Sequence, residues 1–248
     1  EFRSKPAWQR LIIMVGGVTV NLILGVLIYS MVLYTWGEEY LPAKNLTYGI
    51  ACDSAALDAG LRNGDKVISI DGTTIEDFND INREMLLGNP KEILVERAGV
   101  QETITVQKYK NDKTIEKLEK SRRSLVEPRF PFKVIEVSNK ELLDAGMKKE
   151  GETILSVNGN VITYYDEFKT EMLKNIGKKI TLKTLRDTTP VDYEVVVPET
   201  GRLGFVTNSP VNYINYARID YNALEAIPAG IKMTFSKLAS YVKGLGLL

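Results

Sequence analysis

Histidine is absent from this chain, and cysteine occurs only once among its 248 residues. Protein zinc sites draw mainly on these two side chains, so the chain cannot assemble a conventional zinc site by itself. The same scarcity excludes a Ser-His-Asp or Cys-His nucleophilic site. The single cysteine, Cys52, has no partner for an internal disulfide bond.

An excess of positive charge is missing as well. The sequence contains 32 Lys and Arg residues against 32 Asp and Glu residues, which gives a formal net charge of zero. Nucleic-acid binding needs a broad basic field. We therefore predict no nucleic-acid partner.

What the sequence does contain is one long uncharged stretch. Residues 11–36 read LIIMVGGVTVNLILGVLIYSMVLYTW. As a helix this stretch is about 39 Å long, enough to cross a hydrocarbon core of about 30 Å with some tilt. The alternative is a buried helix of a large soluble domain, but such helices seldom run this far without a charge. We predict a transmembrane helix at residues 11–36, in contact with a lipid bilayer.

The charges that flank this stretch predict its orientation. Arg3, Lys5 and Arg10 precede it, whereas Glu38 and Glu39 follow it. By the positive-inside rule, the loop at residues 1–10 is cytoplasmic. The rest of the chain then lies on the extracytoplasmic side.

An internal repeat organises the remainder. Residues 59–72 read AGLRNGDKVISIDG and are echoed by AGMKKEGETILSVNG at residues 145–159, with one residue inserted. Each copy continues with a helical stretch and one pair of strands separated by a polar turn. We therefore predict two small mixed β-barrels, at residues 37–127 and 128–210. The charge-rich segment at residues 108–123 is expected to be a solvated linker.

The repeated pattern resembles the PDZ domain. Domains of this type bind an extended peptide as an added strand beside a helix, and backbone amides hold its terminal carboxylate. In the second copy, residues 201–205 (GRLGF) resemble the carboxylate loop, and their position after the last strands implies a circularly permuted fold. Leu203, Gly204 and Phe205 are the candidate residues for binding peptide C-termini. The alternative, that Leu203 and Phe205 are ordinary strand residues, stays open.

The first copy differs at the matching place. Near Ser124-Leu125-Val126, we expect Val126 to stand where the second copy has its glycine. A β-branched residue disfavours the positive φ angles that glycine allows. We therefore do not expect the first copy to bind a carboxylate.

Small and polar residues interrupt the membrane stretch. Gly17, Asn21 and Gly25 are spaced four apart, which predicts one helix face. Small residues let another helix approach closely, and an unpaired amide in hydrocarbon is costly. Two interpretations stay open: helix packing alone, which the helix by itself favours, or a binding role for Gly17 and Asn21.

The order of these features resembles the site-2 protease family of intramembrane zinc metalloproteases, in particular the bacterial regulator of sigma-E protease type. The segment FRSKPAWQR at residues 2–10, the Gly17-x-x-x-Asn21 motif and the two permuted PDZ-like modules carry the resemblance. It implies zinc held by an HExxH motif in an earlier membrane helix and by an LDG aspartate in a later one. This chain contains neither motif. We therefore expect the central part of such an enzyme, with no catalytic or metal-binding residue of its own and no activity alone.

The C-terminal part, residues 211–248, is predicted to be a linker and an amphipathic helix. Apolar residues recur there at steps of three or four: Leu224, Ile227, Ile231, Phe235, Leu238, Val242 and Leu245. We expect this helix to lie in the membrane interface with its lysines toward headgroups. The alternative is packing against a soluble domain. The predicted fold class is thus α+β: one transmembrane helix, two permuted PDZ-like barrels and an amphipathic helix.

The resemblance implies a function for the whole protein. It would cut single-pass membrane proteins, such as anti-sigma factors or signal-peptide remnants, within the bacterial inner membrane. The PDZ pair would act as a size filter on the periplasmic side. The alternative is a membrane-anchored PDZ adaptor that binds extracytoplasmic C-termini and cuts nothing. A secreted serine protease is less favoured, because such enzymes usually place the protease domain before the PDZ pair.

Overall fold

The computed structural model describes residues 6–106 and 124–245. The predicted linker at residues 108–123, and the charges of Arg3 and Lys5, lie outside the described residues. Two compact units make up the chain. The first contains Glu1–Leu41, Arg83–Asn89 and Tyr216–Leu248, and the second contains Pro42–Asn82 and Pro90–Asn215.

Helix α1 (Ala7–Trp36) begins the first unit. Within it, Val15–Trp36 has a mean hydropathy of 2.0 and the length to cross a membrane, alone among the helices of the described residues. The helix ends at Gly37, whose φ of +69° is costly for other residues. A Cβ atom at Gly37 would also lie 2.6 Å from the Ile219 carbonyl oxygen. The helix predicted at residues 11–36 is thus present and begins four residues earlier.

A second long helix, α6 (Ala223–Leu245), packs against α1 in the same unit. The contact is closest at Gly230, where a Cβ atom would lie 2.2 Å from Ser30 Oγ and 2.7 Å from Ser30 N. A Cβ atom at Gly25 would lie 3.6 Å from Thr234 Cγ2. As the chain advances along α6 it moves back along α1, so the two helices are antiparallel. Strands β1 (Glu38–Tyr40) and β14 (Ala217–Ile219) pair beside them, also antiparallel.

The face of α6 that packs is not the bulky apolar stripe. Ala226, Gly230 and Thr234, spaced four apart, are its buried residues. The large apolar residues are exposed instead: Leu224, Ile227, Ile231, Phe235, Leu238, Tyr241 and Val242. Small residues allow the closest backbone approach between the two helices. Packing of the apolar stripe against a soluble domain stays an open alternative. The location of α6 in a membrane interface stays a prediction.

The Gly230 contact can be tested by disulfide trapping. In a Cys52→Ser background, Gly25→Cys and Thr234→Cys are expected to form a disulfide, because a Cβ atom at Gly25 lies 3.6 Å from Thr234 Cγ2, a position that a cysteine sulfur can occupy. Adding Gly230→Val should abolish the crosslink, since the new side chain meets the Ser30 backbone. Gly16→Val is the control, because a Cβ atom at Gly16 meets nothing within 4 Å. Crosslinking retained with Gly230→Val, measured on non-reducing gels, would refute the contact.

The second unit contains the two copies of the repeat, here called the first and second modules. The first module contains β2 (Ile50–Cys52), α2 (Ser54–Asp58), β3 (Lys66–Ile70), β4 (Thr73–Thr74), α3 (Phe78–Arg83), β5 (Glu92–Arg97), β6 (Val100–Thr105) and β7 (Val126–Pro128). The second module contains β8 (Val134–Val137), α4 (Lys140–Asp144), β9 (Thr153–Val157), β10 (Asn160–Val161), α5 (Tyr165–Lys174), β11 (Lys179–Arg186), β12 (Thr189–Val196) and β13 (Phe205–Thr207).

Both modules have the same topology. The first has a four-stranded sheet of order β4-β3-β5-β6 and a β2-β7 pair, and the second has β10-β9-β11-β12 and a β13-β8 pair. Isolated bridges join Pro42 to Asp77 in one module and Pro131 to Tyr164 in the other. Asp77 and Tyr164 are therefore equivalent. The contacts group both modules in one unit, so the separate boundaries at residues 37–127 and 128–210 stay predictions.

A buried carboxylate explains the acid in each repeat motif. In the first module, Asp65 accepts a hydrogen bond from the Arg62 N–H at 2.8 Å and forms an ion pair with Arg97 Nε at 2.8 Å. Arg97 also donates to the Gly60 carbonyl oxygen at 3.2 Å. The acid therefore fixes the glycine-rich turn at one end and the tip of β5 at the other.

The second module has the same arrangement, with a glutamate in place of the aspartate. Glu152 accepts from the Lys148 N–H at 3.2 Å and pairs with Arg186 Nε at 2.8 Å. Its other oxygen accepts from Thr184 Oγ1 at 2.6 Å. Burial alone would raise the pKa of Glu152, but hydrogen bonds from Thr184, Arg186 and the Lys148 N–H lower the pKa below its ordinary value of 4.5.

This shift predicts a pH dependence of stability. Because the folded-state pKa of Glu152 is lowered, its stabilising contribution is complete above pH 4.5 and is lost as the pH falls below that value. Glu152→Gln should lower the thermal midpoint at pH 7 and should flatten its decline under acid. The exposed Glu136→Gln serves as control, with circular dichroism of the full chain as readout. An unchanged acid profile in Glu152→Gln would contradict this role.

Candidate functional site

The membrane-helix residues singled out by the sequence separate into two environments. Gly25 approaches α6, whereas Gly17 and Asn21 are exposed. A Cβ atom at Gly17 would meet nothing within 4 Å. Successive members of this set are rotated by about 40° from one another on the helix, so one shared face stays a prediction. Gly17 and Asn21 therefore form an exposed small and polar spot.

Asn21 is the unusual member of this spot. Among the described residues it has no hydrogen-bond partner. The neighbouring Thr19 differs, because its hydroxyl donates to the Val15 carbonyl oxygen of its own helix at 3.0 Å. An amide group without a hydrogen-bond partner in hydrocarbon costs several kcal/mol of free energy. Asn21 is thus a binding group that the described residues leave available.

A second candidate site is the edge of β13 in the second module. Gly204 has a φ of +72°, and its carbonyl oxygen accepts from the Ser138 N–H at 2.8 Å and from Ser138 Oγ at 2.7 Å. Amide groups of successive strand residues point to opposite sides. The N–H and C=O of Phe205 therefore point away from β8, toward a side that no strand of the described residues covers.

The three predicted peptide-binding residues contribute unequally to this edge. Leu203 is only 2% exposed and belongs to the core of the second module, so little of its side chain is accessible at the surface. Phe205 is partly buried, with its ring centroid 5.9 Å from that of Phe168. Phe205 begins β13, whereas Leu203 precedes this strand, and peptide binding by either residue stays a prediction. Gly204 and Phe205 offer backbone groups at the open edge.

In the first module the equivalent residues are one position earlier than predicted. The Leu125 carbonyl oxygen accepts from the Asp53 N–H at 2.9 Å, as Gly204 accepts from Ser138. Leu125 therefore occupies the place of Gly204, and Val126 that of Phe205. The prediction that Val126 replaces the glycine is wrong, because the hydrogen-bond register is visible only in the paired strands. The first module still has no glycine at this place.

A cleft of about 290 Å³ lies between α5 and the β2-β7 pair, inside the second unit. Its first-module wall includes Cys52, Asp53, Ser54, Leu57 and Glu127, and its α5 wall includes Tyr165, Asp166, Lys169, Thr170 and Leu173. None of Leu203, Gly204 and Phe205 lines it. The sequence could not indicate this cleft, since its walls come from both modules.

Arg129 holds one end of the cleft together. Its Nε lies 3.1 Å from Asp166 Oδ1, and its Nη2 lies 2.7 Å from Glu167 Oε1. The guanidinium also lies over the Tyr164 ring, 3.7 Å from the centroid. The side chain of Arg129 is 13% exposed, so these contacts are shielded from water. They join the segment between the modules to the start of α5.

Cys52, on the first-module wall of the cleft, has a thiol of low reactivity. Burial raises the pKa of its thiol to about 12, and the negative charges of Asp65, Asp53 and Asp166 act in the same direction. The thiolate is the reactive form of cysteine. At neutral pH the thiol therefore stays protonated.

Alkylation of the folded chain tests this environment. Cys52 should react with iodoacetamide at least about a hundred-fold more slowly at pH 9 than an unperturbed cysteine does, because its thiolate fraction is small. Mass spectrometry of the folded chain gives the rate, and the chain unfolded in urea is the control. A rate that rises to a plateau near pH 9 in the folded chain would contradict the raised pKa.

Comparison with known proteins identifies the family of this chain. The family model described as peptidase family M50 matches residues 1–248. The chain belongs to peptidase family M50, the site-2 protease family. The resemblance to the site-2 protease family is thereby confirmed, whereas the regulator of sigma-E type and the PDZ-like character of the modules stay predictions.

Individual relatives are metalloproteases by name. A zinc metalloprotease of Agrobacterium fabrum is 28% identical over 166 residues, which cover 63% of this chain and 44% of the relative. One from Fusobacterium nucleatum is 25% identical over 232 residues, 92% of this chain and 62% of the relative. Metalloprotease MmpA of Caulobacter vibrioides is 33% identical over 101 residues, 40% of this chain and 25% of the relative. The chain thus spans less than two thirds of each.

Zinc does not fit the residues of this chain. Across residues 6–106 and 124–245, no group of three or more His, Cys, Asp or Glu side chains could hold a metal ion. The full sequence also has no histidine.

Proposed function

We propose that this chain is the substrate-receiving part of a bacterial intramembrane zinc metalloprotease. In this proposal, residues that bind zinc and activate water belong to other segments of the whole enzyme, and this chain is inactive alone. The observation that carries the proposal is Asn21, which lies exposed on α1 without a hydrogen-bond partner among residues 6–106 and 124–245, in a chain that matches family M50 throughout. The substrate would be a single-pass membrane protein.

Asn21 has the chemistry to hold an unwound substrate segment. A transmembrane helix must open before a protease can reach its backbone, and each opened hydrogen bond is costly in hydrocarbon. The side-chain amide of Asn21 can donate to a freed carbonyl oxygen and accept from a freed N–H. Gly17, one turn earlier and without a side chain, leaves room for the substrate backbone.

In this proposal the two modules are PDZ-like domains on the periplasmic side of the inner membrane. The open β13 edge would receive an extended C-terminus by strand addition, with Gly204 in the carboxylate loop. The pair would exclude substrates with large periplasmic domains and admit shortened ones, such as truncated anti-sigma factors or signal-peptide remnants.

The pairing of α6 with α1 supports a membrane location for both helices. Small residues form the contact and bulky apolar residues face outward, which is the pattern of helices in lipid. Lys232 and Lys237 are exposed on α6. Their long side chains could reach headgroups.

Substitution of Asn21 tests the proposed function. In the full-length protein in lipid vesicles, Asn21→Ala should slow cleavage of a single-pass substrate by about tenfold or more, given that one lost hydrogen bond to the transition state is worth this much. Thr19→Val is the matched control, because the Thr19 hydroxyl already bonds within its helix. Equal cleavage by wild type and Asn21→Ala, at equal protein level, would refute this role.

The adaptor alternative remains distinct from this proposal, and the open β13 edge is the feature that favours it. A zinc chelator separates the two. If the full-length protein is a protease, the chelator abolishes cleavage of the membrane substrate. If it is an adaptor, no cleavage is detected with or without the chelator.

A further inference from the structure

The first module does not leave its strand edge open. The Asn82 side chain, at the end of α3, donates from Nδ2 to the Val126 carbonyl oxygen at 3.0 Å. The Val126 N–H in turn donates to Asn82 Oδ1 at 3.1 Å. Both backbone groups of Val126 are therefore occupied on the side of β7 that faces away from β2.

This pair of hydrogen bonds has the form of strand pairing. In an antiparallel ladder, one residue exchanges an N–H···O=C bond in each direction with the residue opposite. A side-chain amide carries the same donor and acceptor as a peptide unit. Asn82 thus occupies the hydrogen-bonding place that one residue of an added peptide would take.

The second module has a different residue at this position. Because Asp77 and Tyr164 are equivalent, the residues five positions later, Asn82 and Lys169, are also equivalent. A Lys side chain has no acceptor for a backbone N–H. The Nζ of Lys169 lies 3.7 Å from Glu127 Oε2. Phe205, the counterpart of Val126, therefore has no side chain of this kind at its amide groups.

The loops that precede β7 and β13 also differ between the modules. Gly204 has the positive φ of +72°, whereas its counterpart Leu125 is not among the residues with positive φ. A loop that gathers amides around a carboxylate depends on such a glycine. The first module thus differs from the second at both its loop and its edge.

We propose that Asn82 is an internal peptide mimic that closes the first module to strand addition, so that the tandem takes one extended peptide, at β13. This inference rests on the proposed peptide binding by the second module. A peptide that entered the first module would have to displace Asn82 and break two hydrogen bonds. Asn82 competes from within the same chain, where its effective concentration is high.

Hydrogen–deuterium exchange of the full chain in detergent tests the closure without any ligand. Asn82→Ala should accelerate exchange of the Val126 amide by tenfold or more and leave Phe205 unchanged. Lys169→Ala is the matched control at the equivalent position and should change neither amide. Asn82→Asp, which keeps an acceptor, should hold Val126 close to wild type. Electron-transfer fragmentation resolves the single amides.

Val95 in β5 is the internal reference for folding of the first module. If Asn82→Ala also accelerates exchange of the Val95 amide, the variant has loosened the first module. The Val126 exchange rates of Asn82→Asp and Asn82→Leu, which have similar side-chain volumes, are then compared instead. Val126 exchange that is equally slow in Asn82→Ala or Asn82→Leu and in wild type overturns the proposal.

A probe peptide then separates the closure from the proposed function. The probe is an acetylated hexapeptide of four alanines and two valines with a free C-terminal carboxylate. In wild type it should protect Phe205 and not Val126, and in Asn82→Ala it should also protect Val126. Equal protection of both amides in wild type overturns the closure. Accelerated Val126 exchange in Asn82→Ala without protection of Phe205 by the probe supports the closure and counts against peptide binding by the second module.

Discussion

The need of amide groups for hydrogen-bond partners governs the functional features of this protein. Buried or lipid-exposed N–H and C=O groups are costly when unpaired. Most are paired within helices and sheets, and those left over mark the places where another molecule fits. Among the described residues, the groups that we propose receive another molecule are the exposed Asn21 side chain in α1 and the Phe205 backbone in the second module. In the first module the same backbone position is already satisfied by Asn82.

The two modules show how one sequence pattern acquires two roles. Asp65 with Arg97, and Glu152 with Arg186, fix the same turn against the same strand tip in both copies. A carboxylate with little solvent access is tolerated only because an arginine and backbone N–H groups compensate its charge. This shared frame gives both modules one topology. The differences between the modules lie in a few residues beside the β7 and β13 edges, and we propose that these residues set different functions.

The first unit follows the rules of helix association in lipid. In water, bulky apolar residues form the contact between helices because their burial is favourable. Lipid tails remove that advantage, so small residues that permit close backbone approach take over. Gly230 against Ser30 is a contact of this kind, with the large residues of α6 directed outward. This arrangement agrees with membership of a membrane protease family.

The linear order of residues determined several features by itself. The uncharged run predicts α1, the repeated glycine-acid motif predicts two modules of one topology, and the absence of histidine excludes a conventional zinc site, because each depends only on composition or local spacing. The tertiary structure decided which residues meet. It placed Leu125 rather than Val126 opposite Asp53, and it brought Asn82 to β7 across 44 positions of sequence. Such contacts depend on strand register and on packing between distant segments, and neither is encoded in any local pattern.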